Sequence, residues 1–352
     1  MESKPVSFCG LKAILTYMEP SFRFNLALKI SSLRKAEKSA PLIIKRLELR
    51  DNCLVINTTE YSMRVYRQCQ ADPGLLNGEV DGDSDEFGFK ISIDESLQPG
   101  DLKLTHDGSE RRHIYGFRYD CPDKMGLLPC DHRIRLYVSG SMSQFPYTNM
   151  KMYHLMRRLL TIFFGNRNGE WTINKMSIKD KVLRWPLDGR KPIVRKIKIG
   201  HWSSYQMDAF QSIIDTSVPL TSLKTTGRIS NHPFLKNVEH LIIYNDMKII
   251  FQGDLLSIQV PNVTIKTPSA AIDHYLQSLV FKFMERTRHI GVRFSICASS
   301  KINLKRINHP AMLEKSKSCV KLAMGNAAVV VVRYRRTHSR TWLTIETVPK
   351  KK

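Results

Sequence analysis

Residues 7–39 read SFCGLKAILTYMEPSFRFNLALKISSLRKAEKS, and this stretch decides how the chain begins to fold. Its first apolar positions recur at the i, i+3, i+4, i+7 spacing of one helix face. These positions are Leu11, Ile14, Leu15 and Met18. Pro20 cannot continue that helix, because proline lacks an N–H and its ring clashes with the preceding turn. The stretch therefore predicts two short amphipathic helices and the start of a third, with a break at Glu19–Pro20.

The second helix has its own apolar face, and Ser21 is a suitable cap for its first turn. That face consists of Phe22, Leu26 and Ile30, each four residues apart. So small a helical unit cannot bury all its apolar surface by itself. It must therefore pack either on the rest of the chain or on a partner protein, and the sequence leaves both alternatives open.

The same residues resemble an F-box, a short helical module that docks on a Skp-family adaptor of a cullin ubiquitin ligase. An F-box has an apolar helix ending in Ile-Leu-x-Tyr-Leu-Asp-Pro, then a helix of Leu-x-Leu-Ala type and a basic end. The matching positions are Ile14, Leu15, Tyr17, Met18, Glu19, Pro20, Phe22, Leu26, Ala27, Leu28, Leu33 and Arg34. The resemblance implies a Skp-family partner. The adaptor-binding residues that we predict are Leu11, Ile14, Leu15, Met18, Pro20 and Leu26.

A wider resemblance runs through most of the chain. The opening MESKPVSF, with PLIIKRLEL at 41–49 and INTTEY at 56–61, is similar to the nematode F-box C proteins. That family is built on a domain of unknown function, and it implies no known chemistry.

The positive charge of the chain is concentrated in its second part. The whole chain has 55 Lys and Arg against 32 Asp and Glu, which gives a net charge of +23. Residues 1–150 have 20 of each sign, so residues 151–352 supply the entire excess. Such a charge favours an acidic partner, which could be a protein, RNA, DNA or a phosphate-rich surface. The cations that we predict to bind it are Arg157, Arg158, Lys196, Lys198, Arg333, Arg335 and Arg336.

Other compositional features concern the compartment. The N-terminus has no basic segment followed by an apolar core, and no apolar run is long enough to span a membrane. The seven cysteines are odd in number and scattered, which favours free thiols in a reducing environment. We therefore expect an intracellular protein, cytoplasmic or nuclear, with no membrane partner.

The pattern along the chain predicts a mixed α+β or α/β fold. We expect an F-box-like helical module at 1–40 and a small antiparallel β-meander within 41–148. An acidic loop at 68–112 has no sustained periodicity and is a candidate disordered segment. Residues 149–352 alternate strands and helices, which indicates a basic α/β domain. We expect it to contain a helix at 149–164, a helix after Pro310 and a C-terminal hairpin around 337–339.

Two clusters suggest metal binding, but neither has the spacing that a metal site needs. The triplet Asp81, Asp83 and Asp85 lacks the glycine and the final glutamate of an EF-hand loop. The cluster Cys121, Cys130 and His132 lacks the closely paired ligands of a zinc site, and His113 is its only further candidate. The sequence therefore predicts a solvated acidic loop, free thiols, no metal site and no cofactor.

No nucleotide-binding loop, nucleophile elbow or metalloprotease motif is present. We therefore predict a protein without catalytic activity. The F-box resemblance implies that it recruits a substrate to a ubiquitin ligase, and the basic second half favours an acidic protein as that substrate. Nucleic-acid binding by the basic second half is the alternative function, although the chain lacks the common nucleic-acid motifs.

Overall fold

A computed structural model of the chain provides the three-dimensional description. The residues that it describes are 7–50, 52–68, 78–80, 82–83, 91–104, 131–146, 150–179, 181–199, 204–226, 232–244, 258–269, 272–285, 288–298, 302–337 and 340–350. The chain forms two compact units. The first comprises residues 1–194 with 212–215, and the second comprises residues 195–211 with 216–352.

Three helices open the first unit, as the sequence predicts. They are α1 (Phe8–Tyr17), α2 (Pro20–Lys29) and α3 (Arg34–Ser39), with a 3-10 turn at Ser31–Leu33. The break falls at Glu19–Pro20, but the prediction that Ser21 caps α2 is wrong. Glu19 is the cap, because its carboxylate accepts hydrogen bonds from the backbone N–H groups of Ser21 and Phe22. Pro20 takes the first helical position, where the missing N–H leaves nothing unpaired.

The sheet of the first unit combines antiparallel and parallel pairs. Its strands are β1 (Leu42–Ile44), β2 (Leu47–Arg50), β3 (Cys53–Ile56), β4 (Thr59–Gln68), β5 (Gly78–Val80), β7 (Asp131–Val138), β8 (Ser141–Pro146) and β9 (Trp171–Ile178). Strands β2, β3 and β4 form the predicted antiparallel meander, which β7 and β8 extend. Strands β1 and β2 also pair in parallel with β9, a non-local contact that the sequence did not indicate.

The remaining elements of the first unit are α4 (Ile93–Ser96), α5 (Met152–Phe164) and a two-stranded pair of β6 (Leu102–Lys103) with β10 (Val182–Leu183). The predicted helix ending before Gly165 is therefore confirmed. The expectation that 68–112 lacks regular structure is wrong for its described part, which contains β5, α4 and β6.

The second unit contains one mixed sheet. Its strands are β11 (Ile193–Ile199, of which 195–199 belong to this unit), β12 (Ser222–Thr225), β13 (His240–Ile243), β14 (Asn262–Ser269), β15 (Arg293–Ala298), β16 (Met312–Lys315), β17 (Cys319–Met324), β18 (Ala328–Arg336) and β19 (Thr341–Pro349). Strands β11 to β15 are parallel and lie side by side in chain order. Strand β19 pairs antiparallel with β15, and β18, β17 and β16 follow.

One side of this sheet forms the core of the second unit. A continuous row of opposed, buried apolar side chains crosses eight strands: Ile197, Leu223, Leu241, Val263, Phe294, Ile345, Val332 and Val320. Between β11 and β12 the chain forms α6 (Ser204–Ile213), and between β14 and β15 it forms α7 (Ile272–Met284). Phe283 of α7 lies 5.5 Å, ring to ring, from Phe294, so this helix covers the core side.

The C-terminal hairpin of β18 and β19 is confirmed, whereas the predicted helix after Pro310 is wrong. That segment forms β16, because its backbone pairs with β17 and the hairpin supplies the neighbouring strands. The architecture is therefore mixed α and β, as the sequence predicts. None of the helices in the described ranges has both the length and the apolar character of a membrane span.

Candidate interaction surfaces

The inner side of α2 and α3 is held by a carboxylate between two guanidiniums. Glu37 Oε1 accepts a hydrogen bond from Arg23 Nη2 at 3.0 Å. Arg167 Nη1 donates to Glu37 Oε1 at 3.0 Å and to Oε2 at 2.8 Å. All three side chains are at most 1% exposed. Burial lowers the pKa of both guanidiniums, and the charge of Glu37 opposes that shift. Arg167 follows α5, so this network joins the N-terminal helices to the body of the unit.

The same guanidiniums also donate hydrogen bonds to the backbone carbonyls at the C-terminal end of α3. Arg23 donates to the carbonyls of Pro41 at 2.6 Å and of Glu37 at 3.0 Å. Arg167 donates to the carbonyls of Glu37 at 3.0 Å and of Ala40 at 3.3 Å. The last carbonyls of a helix have no partner within it and attract cations. The two arginines therefore provide both charge balance and C-terminal capping for α3.

Aromatic packing adds to this attachment. The ring of Phe24 on α2 stacks on Phe163 of α5, with centroids 4.6 Å apart, and meets Phe164 edge-on at 5.6 Å. Tyr61 of β4 contacts Phe163 at 5.1 Å and donates its hydroxyl to Asn25 Oδ1 at 2.9 Å. Burial raises the pKa of Tyr61. The N-terminal helices are therefore a built-in part of the first unit.

The outer side of the same helices is apolar and exposed. Twelve large apolar side chains are exposed among the described residues, and five of them lie between positions 8 and 30. Phe8 lies half a turn around α1 from Tyr17, and we call the other four the outer apolar patch: Ile14, Tyr17, Phe22 and Ile30. Ile14 and Tyr17 are one turn apart on α1, and Phe22 and Ile30 share a face with the half-buried Leu26. The predicted apolar face of α2 is therefore its exposed face, while Ser21, Arg23, Phe24 and Ala27 are buried.

The six predicted adaptor-binding residues lie on both sides of the helices. Leu15 is 1% exposed and packs with Ala36 and Ala40, and Leu11 and Met18 pack against this cluster. Ile14 is 53% exposed, whereas Pro20 and Leu26 are half-buried. The structure thus gives Leu11, Leu15 and Met18 a place between α1 and α3. Their adaptor-binding role stays a prediction, and Ile14 is the one among the six with an exposed side chain.

A second surface lies on the non-core side of the sheet in the second unit. Directly opposed residues in a sheet point to the same side, and successive residues alternate. Within β11–β15, β18 and β19 this rule places seven cations on one side, which we call the basic face: Lys196, Lys198, Lys224, Lys266, Arg293, Arg333 and Arg335. In the two neighbouring strands, Lys321 of β17 and Glu314 of β16 lie on the same side and form an ion pair. Glu346, opposed to Arg293, is the carboxylate that strands β11–β15, β18 and β19 place on that side. The ion pairs in the described part of this unit use other side chains: Arg306 with Asp273, Lys321 with Glu314 and His232 with Asp208.

Two lysines of the basic face, Lys224 and Lys266, change the pKa of the nearby His240. His240 Nε2 lies 2.8 Å from Thr264 Oγ1. Desolvation lowers the pKa of His240, and the charges of Lys266 and Lys224 lower it further. Lys266 Nζ also lies 5.5 Å from the ring centroid of Tyr244, which is exposed. The neutral form of His240 is therefore favoured. A ligand that brings negative charge would reduce the electrostatic repulsion among the cations of this face.

The structure brings together four of the seven predicted partner-binding cations: Lys196, Lys198, Arg333 and Arg335. Arg336 lies on β18 with its side chain on the opposite side of the sheet. Arg157 and Arg158 belong to α5 in the first unit, where Arg157 donates to Pro99 O at 2.6 Å and pairs with Asp101 at 3.5 Å. Their partner-binding role stays a prediction.

Sequence reasoning missed Lys224, Lys266 and Arg293. Each lies next to a buried apolar residue of its strand (Leu223, Ile265 and Phe294), and that alternation is the signal that could have identified it. Alternation alone does not reveal which strands are adjacent, so the face itself was not predictable.

The metal hypotheses fall mostly outside the described residues. Asp81, Asp85, Cys121 and Cys130 lie outside them, as do His113 and the side chain of His132. Asp83 is described, and its carboxylate accepts hydrogen bonds from the N–H groups of Met152 at 2.9 Å and Tyr153 at 3.3 Å. It therefore caps α5 from a distant loop. The described ranges contain no group of three His, Cys, Asp or Glu side chains placed to hold a metal.

Comparison with known proteins adds one finding. Residues 151–300 match a family described as Domain of unknown function (DUF3557). The prediction of a domain of unknown function is therefore confirmed for this part of the chain, which includes residues of both units. Neither the comparison with curated proteins nor the comparison with solved structures found a match.

Proposed function

We propose that the protein is a non-catalytic interaction protein whose N-terminal helices bind a Skp-family adaptor through the outer apolar patch. The observation that carries this proposal is the division of these helices into two sides. Their inner side is fixed by Glu37 between Arg23 and Arg167, while the outer apolar patch leaves four large apolar side chains in solvent. An apolar patch on otherwise anchored helices is typical of a protein–protein interface.

The patch has enough apolar surface to dominate a complex. Full burial of one such side chain contributes about 1.5–3 kcal/mol. Because three of these four side chains are about half exposed, covering the patch would contribute roughly 4–7 kcal/mol before the entropic cost of association. The F-box resemblance of residues 11–34 supports a Skp-family adaptor as the partner. A partner without an apolar groove would gain little from this surface.

The basic face is the candidate substrate-binding part. In strands β11–β15, β18 and β19 its seven cations have a single carboxylate among them, so it attracts acidic polypeptides and would hold them near the ligase. This role corresponds to the acidic protein substrate that the sequence predicts.

The adaptor proposal is tested by titrating the full-length protein with a purified Skp-family adaptor in a calorimeter. Phe22→Glu places a charge in the patch, and we expect it to weaken binding at least about tenfold, because a buried unpaired charge is strongly unfavourable. Leu313→Glu is the matched control, since Leu313 is an equally exposed apolar side chain in the second unit. The wild type, Phe22→Glu and Leu313→Glu should have the same circular dichroism spectrum, which shows that all three are folded.

No heat of binding with the folded wild type would contradict the proposal. Equal weakening by Phe22→Glu and Leu313→Glu would contradict it as well, because the binding would then not depend on the N-terminal helices.

A further inference from the structure

Side chains on the basic face form a continuous row that runs across the strands. Lys198 opposes Lys224, which opposes Ile242 of β13. The row then continues over β14, β15, β19 and β18 through Thr264, Ser295, Thr344 and Arg333. We call these seven residues the transverse row. Each lies one position along its strand from a member of the buried core row, so the fold fixes the spacing of both rows.

The chemistry of the row changes along its length. Lys198 and Lys224 lie at one end, where Lys196 adds a third cation. Arg333 lies at the other end, where Arg335 adds a second. Between the ends are the buried Ile242 and three hydroxyl side chains, Thr264, Ser295 and Thr344. The middle has less positive charge than either end, because Lys266 of β14 is its one unopposed cation in strands β13–β15 and β19, and Arg293 is opposed by Glu346.

From this arrangement we infer that the transverse row binds an extended acidic polypeptide segment of about nine residues, with its acidic side chains concentrated at the two ends. This inference rests on the proposed role of the basic face as the substrate-binding part. Neighbouring strands lie about 4.8 Å apart, so six steps from β11 to β18 span about 29 Å. An extended chain rises about 3.3 Å per residue, which gives about nine residues.

The middle of the row favours a polypeptide over a nucleic acid. Hydroxyl groups both donate and accept hydrogen bonds, which suits the alternating N–H and C=O groups of a peptide backbone. A nucleic-acid backbone carries a negative charge at every nucleotide, so it would place phosphates beside the carboxylate of Glu346. A peptide can have a neutral residue at that point. A single-stranded nucleic acid is therefore the competing ligand that the experiment must exclude.

The test uses the full-length protein and three fluorescent nine-residue peptides that contain six glutamates and three serines. One peptide has three glutamates at each end, one has all six glutamates at one end, and one has them in its middle. We expect the first to bind about fivefold or more tightly than the other two, because only it places acids over both groups of cations. A five-residue peptide with three glutamates should bind weakly, since it cannot reach both ends.

Variants assign the two ends. Lys224→Gln and Arg333→Gln should each weaken binding of the end-loaded peptide about three- to tenfold, and the double variant more. Arg336→Gln is the matched control, because Arg336 is an exposed cation of the same strand on the opposite side of the sheet. It should leave the affinity unchanged.

Three results would overturn the inference. They are equal affinity for the three peptides, equal effects of Arg333→Gln and Arg336→Gln, and tighter binding of a nine-nucleotide single-stranded RNA than of the end-loaded peptide. The test is independent of adaptor binding, since all its variants lie in the second unit. Failure here with intact adaptor binding would remove the peptide site alone, whereas loss of adaptor binding with intact peptide binding would remove the adaptor proposal alone.

Discussion

Replacing Glu37 by Gln tests the attachment of the N-terminal helices most severely. The carboxylate accepts three charge-assisted hydrogen bonds from Arg23 and Arg167, at 2.8 to 3.0 Å. Glutamine keeps the size of the side chain but removes its charge, so two buried guanidiniums remain near each other without a carboxylate. Removing one partner of a buried ion pair costs about 3–5 kcal/mol. Because a domain is stable by only about 5–15 kcal/mol, we expect a large loss in the free energy of unfolding.

The assay is urea-induced unfolding of the full-length protein, followed by tryptophan fluorescence, since Trp171 and Trp185 lie in the first unit. Glu170→Gln is the control, because the Glu170 side chain is 76% exposed and its ion pair with Arg190 is solvated. The control should change the free energy of unfolding by less than about 0.5 kcal/mol. A loss of under 1 kcal/mol in Glu37→Gln would refute the reasoning that this network anchors the helices.

Three further predictions follow from local geometry. Gly169→Ala should destabilise the first unit by about 1–3 kcal/mol, because the new Cβ would lie 2.7 to 2.8 Å from the carbonyl oxygens of Ser39 and Ala40. Gly78→Ala is the control, since its new Cβ has open space. The urea midpoint of Gly169→Ala should be clearly lower than that of Gly78→Ala. Burial raises the pKa of Glu48, but hydrogen bonds from three cations outweigh it and hold the pKa at about 2. Glu48 therefore contributes stability above pH 4.5 that is lost as the pH falls towards 2. The difference in free energy of unfolding between wild type and Glu48→Gln should shrink over that range, and a constant difference would contradict this prediction. Lys224→Gln should raise the pKa of His240 in an NMR titration, because a neighbouring positive charge that opposes protonation is removed; an unchanged titration would show that the two side chains do not interact.

The helices at the N-terminus show what a local pattern can and cannot predict. Helical spacing and Pro20 correctly placed α1, α2 and the break between them. The pattern did not reveal which side of α2 faces inward. Phe22 and Ile30 look like a core face, yet Arg23 is the buried side chain, because Glu37 of α3 accepts its hydrogen bond and balances its charge. A buried charge is predictable only once its partner is known.

In the second unit, local patterns likewise predict individual strands but not how the strands pair. The strands β11, β13 and β15 and the final hairpin were predictable from β-rich runs and turns. The sequence predicts a helix after Pro310, but this segment forms β16 in a local hairpin with β17, whose turn at 316–318 the helical pattern does not reveal. The excess of Lys and Arg in residues 151–352 predicts an acidic partner for this part of the chain. The register of non-local parallel strands decides which cations meet, and no local pattern specifies it.

The central claim is that α1 has one side built into the protein and one side free to bind an adaptor. The most direct measurement compares Ile14→Glu and Leu15→Ala in the full-length protein, with the urea midpoint and the dissociation constant for a Skp-family adaptor determined for each. Ile14 is 53% exposed and Leu15 is 1% exposed. Ile14→Glu should keep the wild-type midpoint and lose adaptor binding, whereas Leu15→Ala should lose about 2–5 kcal/mol of stability. A lowered midpoint in both variants, or a folded Ile14→Glu that binds the adaptor as the wild type does, would contradict the account.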